Sequence, residues 1–334
     1  MKYLISIIIC LACIAAAILY GYTASFNSAD EAQYVYIDGN DNIDSVYAKL
    51  HPIADAIPFS AFKTLVSHTS YPEHIKSGRY QITDEGAFRL FRKLRGGMQD
   101  PMMLTVPSCR TMPQMAARLS QSLMCDSASI AEALADTSML HSLGFTKETI
   151  PAMFIPNTYD IYWNVSVEKL LSRMRQEYDR FWTADRLSKA EAMGLTPEQV
   201  ATIASIVDEE TNKNDEKPTI AGLYYNRYRK GMKLQADPTV KYAMQDFGIR
   251  RILNWMLTTD SPYNTYMYAG LPPGPIRVPS QEGLDAVLNY QHHNYIYMCA
   301  KEDFSGYHNF AVTSAEHTAN AHRYAAALNA RGIR

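Results

Sequence analysis

Residues 3–22, YLISIIICLACIAAAILYGY, hold no charged side chain and are almost wholly apolar. A helix needs about 20 such residues to cross the hydrocarbon core of a bilayer. The segment reads as a membrane span or as the apolar part of an export signal. Either reading puts the rest of the chain outside the cytoplasm. Lys2 precedes the run, and the next basic residue is Lys49. Basic charge stays on the cytoplasmic side. The expected topology is therefore a single pass through the plasma (inner) membrane with the N-terminus cytoplasmic. Small residues at Ala15-Ala16-Ala17 or around Thr23-Ala24-Ser25 suit a signal peptidase. The run is longer than a typical signal core, which favours a retained anchor.

The 334 residues carry a formal net charge of -2, and 47% of them are hydrophobic. That length supplies two or three cores. The balanced charge argues against a nucleic-acid partner, which would favour a basic face. Cys10 and Cys13 lie in the apolar run, Cys109 and Cys125 are able to pair in an oxidising compartment, and Cys299 reads as a core thiol. His292, His293, His308 and His317 lack the spacing of a helical zinc site, and no metal or organic cofactor is expected. His308 and His317 read as hydrogen-bonded structural residues.

Residues 25–32 read as a polar linker. Strands are expected over 33–37, 78–82 and 102–106. Helices are expected over 43–50, 59–67, 85–94, 112–124, 129–135 and 167–182. The β-α-α-β order between residues 33 and 82 resembles a small LysM-like glycan-binding module. Further on, helices are expected over 197–211, 217–229 and 316–330, with a hairpin from 295–300 and 304–312. The expected fold class is α+β: an N-terminal transmembrane helix (1–24), a linker and LysM-like module (25–105), and a larger mixed α+β catalytic domain (106–334).

The segment PEQVATIASIVDEET, 197–211, ends in three consecutive acids, Asp208, Glu209 and Glu210, a run that is ordinarily a solvated face and alternatively holds a general acid. Pro197 suits a first helical turn, and Thr196 suits an N-cap. Val200, Ile203, Ala204 and Val207 recur at i, i+3, i+4 and i+7, which marks a buried stripe. At about 100° per residue, Glu209 falls opposite the stripe and should be solvated. Asp208 falls at one edge. Glu210 falls at the other, beside Ile203, Ile206 and Val207. Desolvation there disfavours the anion and raises the pKa, as a general acid requires.

Several motifs now stand in order: 204–211 (ASIVDEET), Asn226-Arg227, 231–240 (GMKLQADPTV) with Tyr242, 263–266 (YNTY), 270–276 (GLPPGPI), 306–310 (GYHNF) and Glu316-His317. Together they resemble the signature of the endolytic murein transglycosylases, the YceG-like proteins. Gly78-Arg79-Tyr80 resembles an element ending that family's LysM-like module. Three departures stand out. Family members usually carry Pro-Glu-Gly-x-Thr where this chain has Pro107-Ser108-Cys109-Arg110-Thr111. They usually carry Pro-Asp-Thr-Tyr where it has Pro156-Asn157-Thr158-Tyr159. Asp208 replaces the first Glu of a Glu-x-Glu-Thr motif.

The resemblance implies a lyase that cuts the β-1,4 bond between N-acetylmuramic acid and N-acetylglucosamine within nascent peptidoglycan and leaves a 1,6-anhydro end, so ending strand growth. Glu210 matches the catalytic acid. Asn226, Gln235, Asp237, Tyr263, Asn264, Thr265 and Tyr266 are the candidates for sugar hydroxyls, acetamides or developing charge, with turn or capping roles as the alternative. For Asp237 before Pro238, turn chemistry competes directly. Implied partners are peptidoglycan strands and peptidoglycan synthases. A non-catalytic anchored glycan-binding protein and a hydrolytic muramidase are the competing functions.

Overall fold

The computed structural model describes residues 2–27 and 31–332, so part of the expected linker (28–30) lies outside the described residues. The chain opens with helix α1 (Lys2–Thr23), long and apolar enough to cross a membrane. Next come β1 (Gln33–Ile37), α2 (Ile43–Leu50), α3 (Ala56–Ser67), β2 (Gly78–Ile82), α4 (Ala87–Gly96) and β3 (Met102–Val106). Strands β1 and β2 pair antiparallel, with Val35 opposite Tyr80. The alternating burial of both strands follows from their two-residue period. Val35, Ile37, Tyr80 and Ile82 point inward, onto Val46, Leu50, Phe62 and Leu90.

The remaining elements are α5 (Met112–Ser120), α6 (Ser127–Ala133), α7 (Thr137–Ser142), β4 (Asn157–Ile161), α8 (Val167–Phe181), α9 (Ala184–Ala192), α10 (Pro197–Glu210), α11 (Lys217–Arg229), α12 (Asp237–Met244), α13 (Gln281–Leu288), β5 (Tyr297–Ala300), β6 (His308–Ala311) and α14 (Ser314–Ala330). Strand β3 pairs with β4, and β5 pairs antiparallel with β6. The chain divides into two compact units. One comprises Met1–Leu104, Ser122–Cys125 and Tyr159–Ser166, and the other Thr105–Gln121, Asp126–Thr158 and Val167–Arg334.

Helix α10 is the axis of the second unit. Its start is fixed by a capping box, in which Thr196 accepts from the Gln199 backbone and Gln199 returns a bond to the Thr196 N–H. Pro197 occupies the first turn, where its missing N–H costs nothing. Helices α9, α11, α12 and α13 pack around it. Every residue from Val200 to Asp208 is consequently buried, so the expected single apolar stripe is replaced by burial on all sides. Small residues make this possible: Ala201, Ala204 and Ser205 let neighbours approach closely, and Ser205 Oγ accepts the Ile276 N–H at 3.0 Å.

Cys109 is a buried free thiol. Among the described residues, no cluster of His, Cys, Asp and Glu could hold a metal ion.

Candidate active site

A cavity of about 370 Å³ opens at the C-terminal end of α10. Its walls come from α10 and α11, the 234–237 stretch leading into α12, Tyr266, the β5–β6 hairpin, and His317 of α14. Glu210 is the last residue of α10 and faces this cavity. The helix stops there because Thr211 turns extended while its N–H still bonds the Val207 carbonyl. Burial pushes the Glu210 carboxyl up to about 7, aided by the charges of Asp237 and Glu209. The Tyr224 hydroxyl and Lys241 pull the other way. Tyr224 donates to Glu210 Oε1 at 2.5 Å. Burial, and then the neighbouring Glu210 carboxylate, push the Tyr224 phenol well above its ordinary range, so it remains a donor.

Tyr224 and Arg227 lie three residues apart on α11 and reach the same cavity, as i and i+3 positions do. Arg227 is buried. It donates to the Lys233 and Ile296 carbonyls at 3.0 and 2.8 Å and makes a short bond to Gln235 Oε1. Gln235 holds a left-handed backbone conformation, φ 52°. Tyr266 donates to Asp237 Oδ1 at 2.6 Å. The Asp237 carboxylate thus has a fixed direction.

Of the residues singled out by sequence, Glu210, Gln235, Asp237 and Tyr266 line the cavity, and Asn226, Tyr263, Asn264 and Thr265 do not. The Asn226 amide donates to the His293 and Tyr295 carbonyls. Asn264 is fully buried and its amide holds the Leu257 and Thr259 carbonyls. Thr265 Oγ1 accepts the Ala236 N–H and meets Thr239 Oγ1 at 2.8 Å. Tyr263 packs on Tyr242, ring centroids 4.7 Å apart. Tyr263, Asn264 and Thr265 shape the stretches that carry Asp237 and Tyr266, whereas Asn226 holds the 293–295 stretch that leads into β5.

Other cavity residues carried no such expectation. Cys299, read as a core thiol, is half-buried on the wall, because β5 belongs to a two-stranded hairpin with one face on the cavity. His308 also lines it and is held by the buried Glu216, which accepts its backbone N–H at 2.7 Å and contacts Nδ1 at 3.0 Å. His317 stacks on Tyr297, and its buried Nδ1 has no protein hydrogen-bond partner. Only the ordered Gly306–Phe310 and Glu316-His317 motifs hinted that these histidines belong near the site.

The neighbouring acids differ from expectation. Glu209 is not solvated: Arg110 Nε and Arg277 Nη1 bond its Oε1 at 2.8 and 2.9 Å, and Arg110 Nη2 bonds Oε2. Ser108 Oγ accepts from the other edge of the Arg277 guanidinium. Asp208 is buried and paired with Lys217 at 2.8 Å.

The YceG-like family model matches residues 35–323. The chain is 25% identical over 339 aligned residues to an endolytic murein transglycosylase of Streptococcus pneumoniae serotype 2, covering 89% of this chain and 61% of that protein. A Bacillus subtilis endolytic murein transglycosylase is 31% identical over 184 residues, covering 55% of this chain and 50% of that protein. The chain thus spans less than two thirds of the length of these relatives. A crystal structure of a yceG-like protein from Listeria monocytogenes shares the fold, with a TM-score of 0.55 at 24% identity over 87% of this chain and 99% of that one. With the match running through both compact units, the chain belongs to the YceG-like family.

Proposed function

We propose that this protein is an endolytic murein transglycosylase, a lyase acting on peptidoglycan, with Glu210 as its acid and base. One observation carries the reading: the Glu210 carboxyl, held near neutral pKa by burial, faces a cavity lined by polar side chains. The names of the relatives from Streptococcus pneumoniae and Bacillus subtilis support the reaction class.

In this mechanism protonated Glu210 gives its proton to the glycosidic oxygen between N-acetylmuramic acid and N-acetylglucosamine. The bond from that oxygen to the muramic anomeric carbon breaks, and positive charge develops on the carbon. The muramic 6-hydroxyl oxygen then bonds to that carbon, and its proton returns to Glu210. The enzyme ends as it began and no water is consumed. One carboxyl suffices, in contrast to the paired carboxylates of most glycosidases. The Asp237 carboxylate, aimed by Tyr266, is suited to offset the developing charge. Gln235 is suited to sugar hydroxyls or acetamides.

The reading extends to the whole chain. Residues 1–24 are the cytoplasmic tip and a single membrane span, 25–105 the linker and a LysM-like glycan-binding module, and 106–334 the catalytic domain. The enzyme would sit on the outer side of the plasma membrane and shorten nascent strands beside peptidoglycan synthases.

The test is digestion of isolated cell wall with the full chain and with Glu210→Gln. The wild type is expected to release 1,6-anhydromuropeptides, each one water lighter than a hydrolase product, and Glu210→Gln none. Products of hydrolytic mass would replace this reading with a muramidase. Normal release by Glu210→Gln would remove Glu210 from the chemistry.

A further inference from the structure

Helix α4 carries two unlike faces. At about 100° per residue, Ala87, Leu90, Phe91 and Leu94 fall in one arc and are buried. The opposite arc holds Phe88, Arg89, Arg92, Lys93 and Arg95, with no acid in the helix. Lys93 is neutralised by Glu85 and Asp100. Among the described residues, no carboxylate lies within ion-pair distance of Arg89, Arg92 or Arg95, although Glu85, which pairs with Lys93, also feels the charge of Arg89. Phe88 stands among them, 49% exposed.

This face begins where α1 ends. A Cβ on Gly86 would sit 2.6 Å from the Tyr22 carbonyl oxygen and 2.9 Å from Thr23 Cα, so only glycine permits the approach. Ser25 and Gly86 form an antiparallel bridge, and the Phe26 N–H bonds the Glu85 carbonyl at 2.8 Å. On the α3 side, a Cβ added to Gly21 would touch Ile57 and Ala61 at 3.6 Å, and Ile57 is 57% exposed. Two exposed apolar side chains, Ile57 and Phe88, therefore flank the exit of the apolar helix.

We infer that the outward face of α4 is a membrane-contact surface that takes the anionic phosphate headgroups of the leaflet from which α1 emerges. This rests on the proposed reading of α1 as a membrane anchor. Phe88 and Arg89 lie within one helical turn of Gly86, which contacts Tyr22 and Thr23, and Arg92 lies within two, so these side chains cluster beside the exit of α1. Guanidinium groups bond phosphate oxygens in pairs. Basic side chains beside a membrane span are drawn to anionic headgroups, and an aromatic side chain suits the interface. Such docking would fix the first unit at the membrane surface, whereas a helix end alone would leave it free to swivel.

The test places the full chain carrying Phe88→Trp in floated vesicles of phosphatidylcholine, with or without one third phosphatidylglycerol, and with bromine-labelled lipid. The unsubstituted chain, with its own tryptophans, is the blank. Bromolipid is expected to quench the added emission about twofold in the anionic vesicles. The quenching should fall by about half when Arg89, Arg92 and Arg95 become Gln, and further when they become Glu. A chain that floats with the vesicles while iodide in the water, and not bromolipid, quenches residue 88 overturns the inference and leaves the anchor standing. Equal quenching in both lipid mixtures also overturns it, because the headgroup charge then plays no part. A chain that does not float overturns the anchor and the inference together.

Discussion

Tyr224 gives its hydroxyl hydrogen to Oε1 of Glu210 across 2.5 Å. That bond favours the carboxylate, and burial opposes it more strongly, so Glu210 settles at about 7. The acid form starts the proposed reaction. Glycan cleavage should therefore be flat below pH 7 and fall about tenfold per pH unit above it. Tyr224→Phe removes a donor to the anion, so the Glu210 pKa should rise and the falling limb should move to higher pH. A bond to a charged group is worth about 1.5–3 kcal/mol. The plateau should drop by about tenfold as the carboxyl loses its aim. A pH–rate profile of both enzymes checks this, and an unmoved limb would deny Tyr224 a tuning role.

The same raised pKa makes a stability prediction. Glu210 holds its proton more tightly folded than at its ordinary value of 4.5. Its ionisation penalises the folded state as pH climbs from about 4.5 to about 7, and the penalty is complete above that. Glu210→Gln should escape it. Denaturant melts in detergent should find the variant on the order of 1–3 kcal/mol more stable than wild type at pH 8. The gap should shrink toward pH 4. A variant less stable than wild type at pH 8 would contradict the burial cost.

The local patterns that sequence carries were legible, and long-range partners were not. Strands 33–37 and 78–82 and helices 43–50 and 217–229 follow from alternation, periodicity and turn residues, and they stand at those bounds. At Asp237-Pro238 turn chemistry competed with a substrate role, yet Asp237 opens α12 and Pro238 lies in its first turn, a place equally suited to proline. On α10 the helical wheel gave each acid a direction. It did not reveal what meets the acid there. Glu209 points to Arg110, 99 residues earlier, and Arg277, 68 residues later. Asn226, Asn264 and Thr265 belong to the same ordered series of motifs as Glu210 and Gln235. Only the fold separates the side chains that face the cavity from those that hold its loops.

The Glu209 clamp changes what its mutation should do. A solvated Glu209 would tolerate Gln. With its side chain 12% exposed between two guanidinium groups, the loss of charge should cost about 1–3 kcal/mol. Activity should fall moderately, because Glu209 fixes the last turn of α10. It should fall far less than in Glu210→Gln. Melting curves with anhydromuropeptide release from Glu209→Gln measure both, and a fully silent variant would show that the clamp holds nothing.

Arg227 offers a second check on how the cavity is held. It spreads its donors over the Lys233 carbonyl, the Ile296 carbonyl and Gln235. A lysine ammonium cannot span those three directions from one point. Arg227→Lys should leave buried acceptors unpaired at about 1–3 kcal/mol each. It should free Gln235 from its left-handed conformation and weaken glycan binding before it slows chemistry. Steady-state kinetics should show KM rising more than kcat falls.

Asp208 and Lys217 form the most enclosed ion pair at the site, with side chains 4% and 7% exposed. Asp208 also accepts the Ser280 N–H at 2.6 Å and the Ser280 hydroxyl at 2.8 Å. A Cβ on Gly283 would approach Asp208 Oδ1 to 2.6 Å, so this carboxylate packs directly against the start of α13. Lys217→Met strands the buried anion and should cost about 3–5 kcal/mol. Adding Asp208→Asn removes that stranded charge, keeps an acceptor for Ser280, and should recover most of the loss. Thermal unfolding of the two single variants and the double variant closes a mutant cycle. A double variant as unstable as the sum of the singles would mean that the charges do not act as a pair.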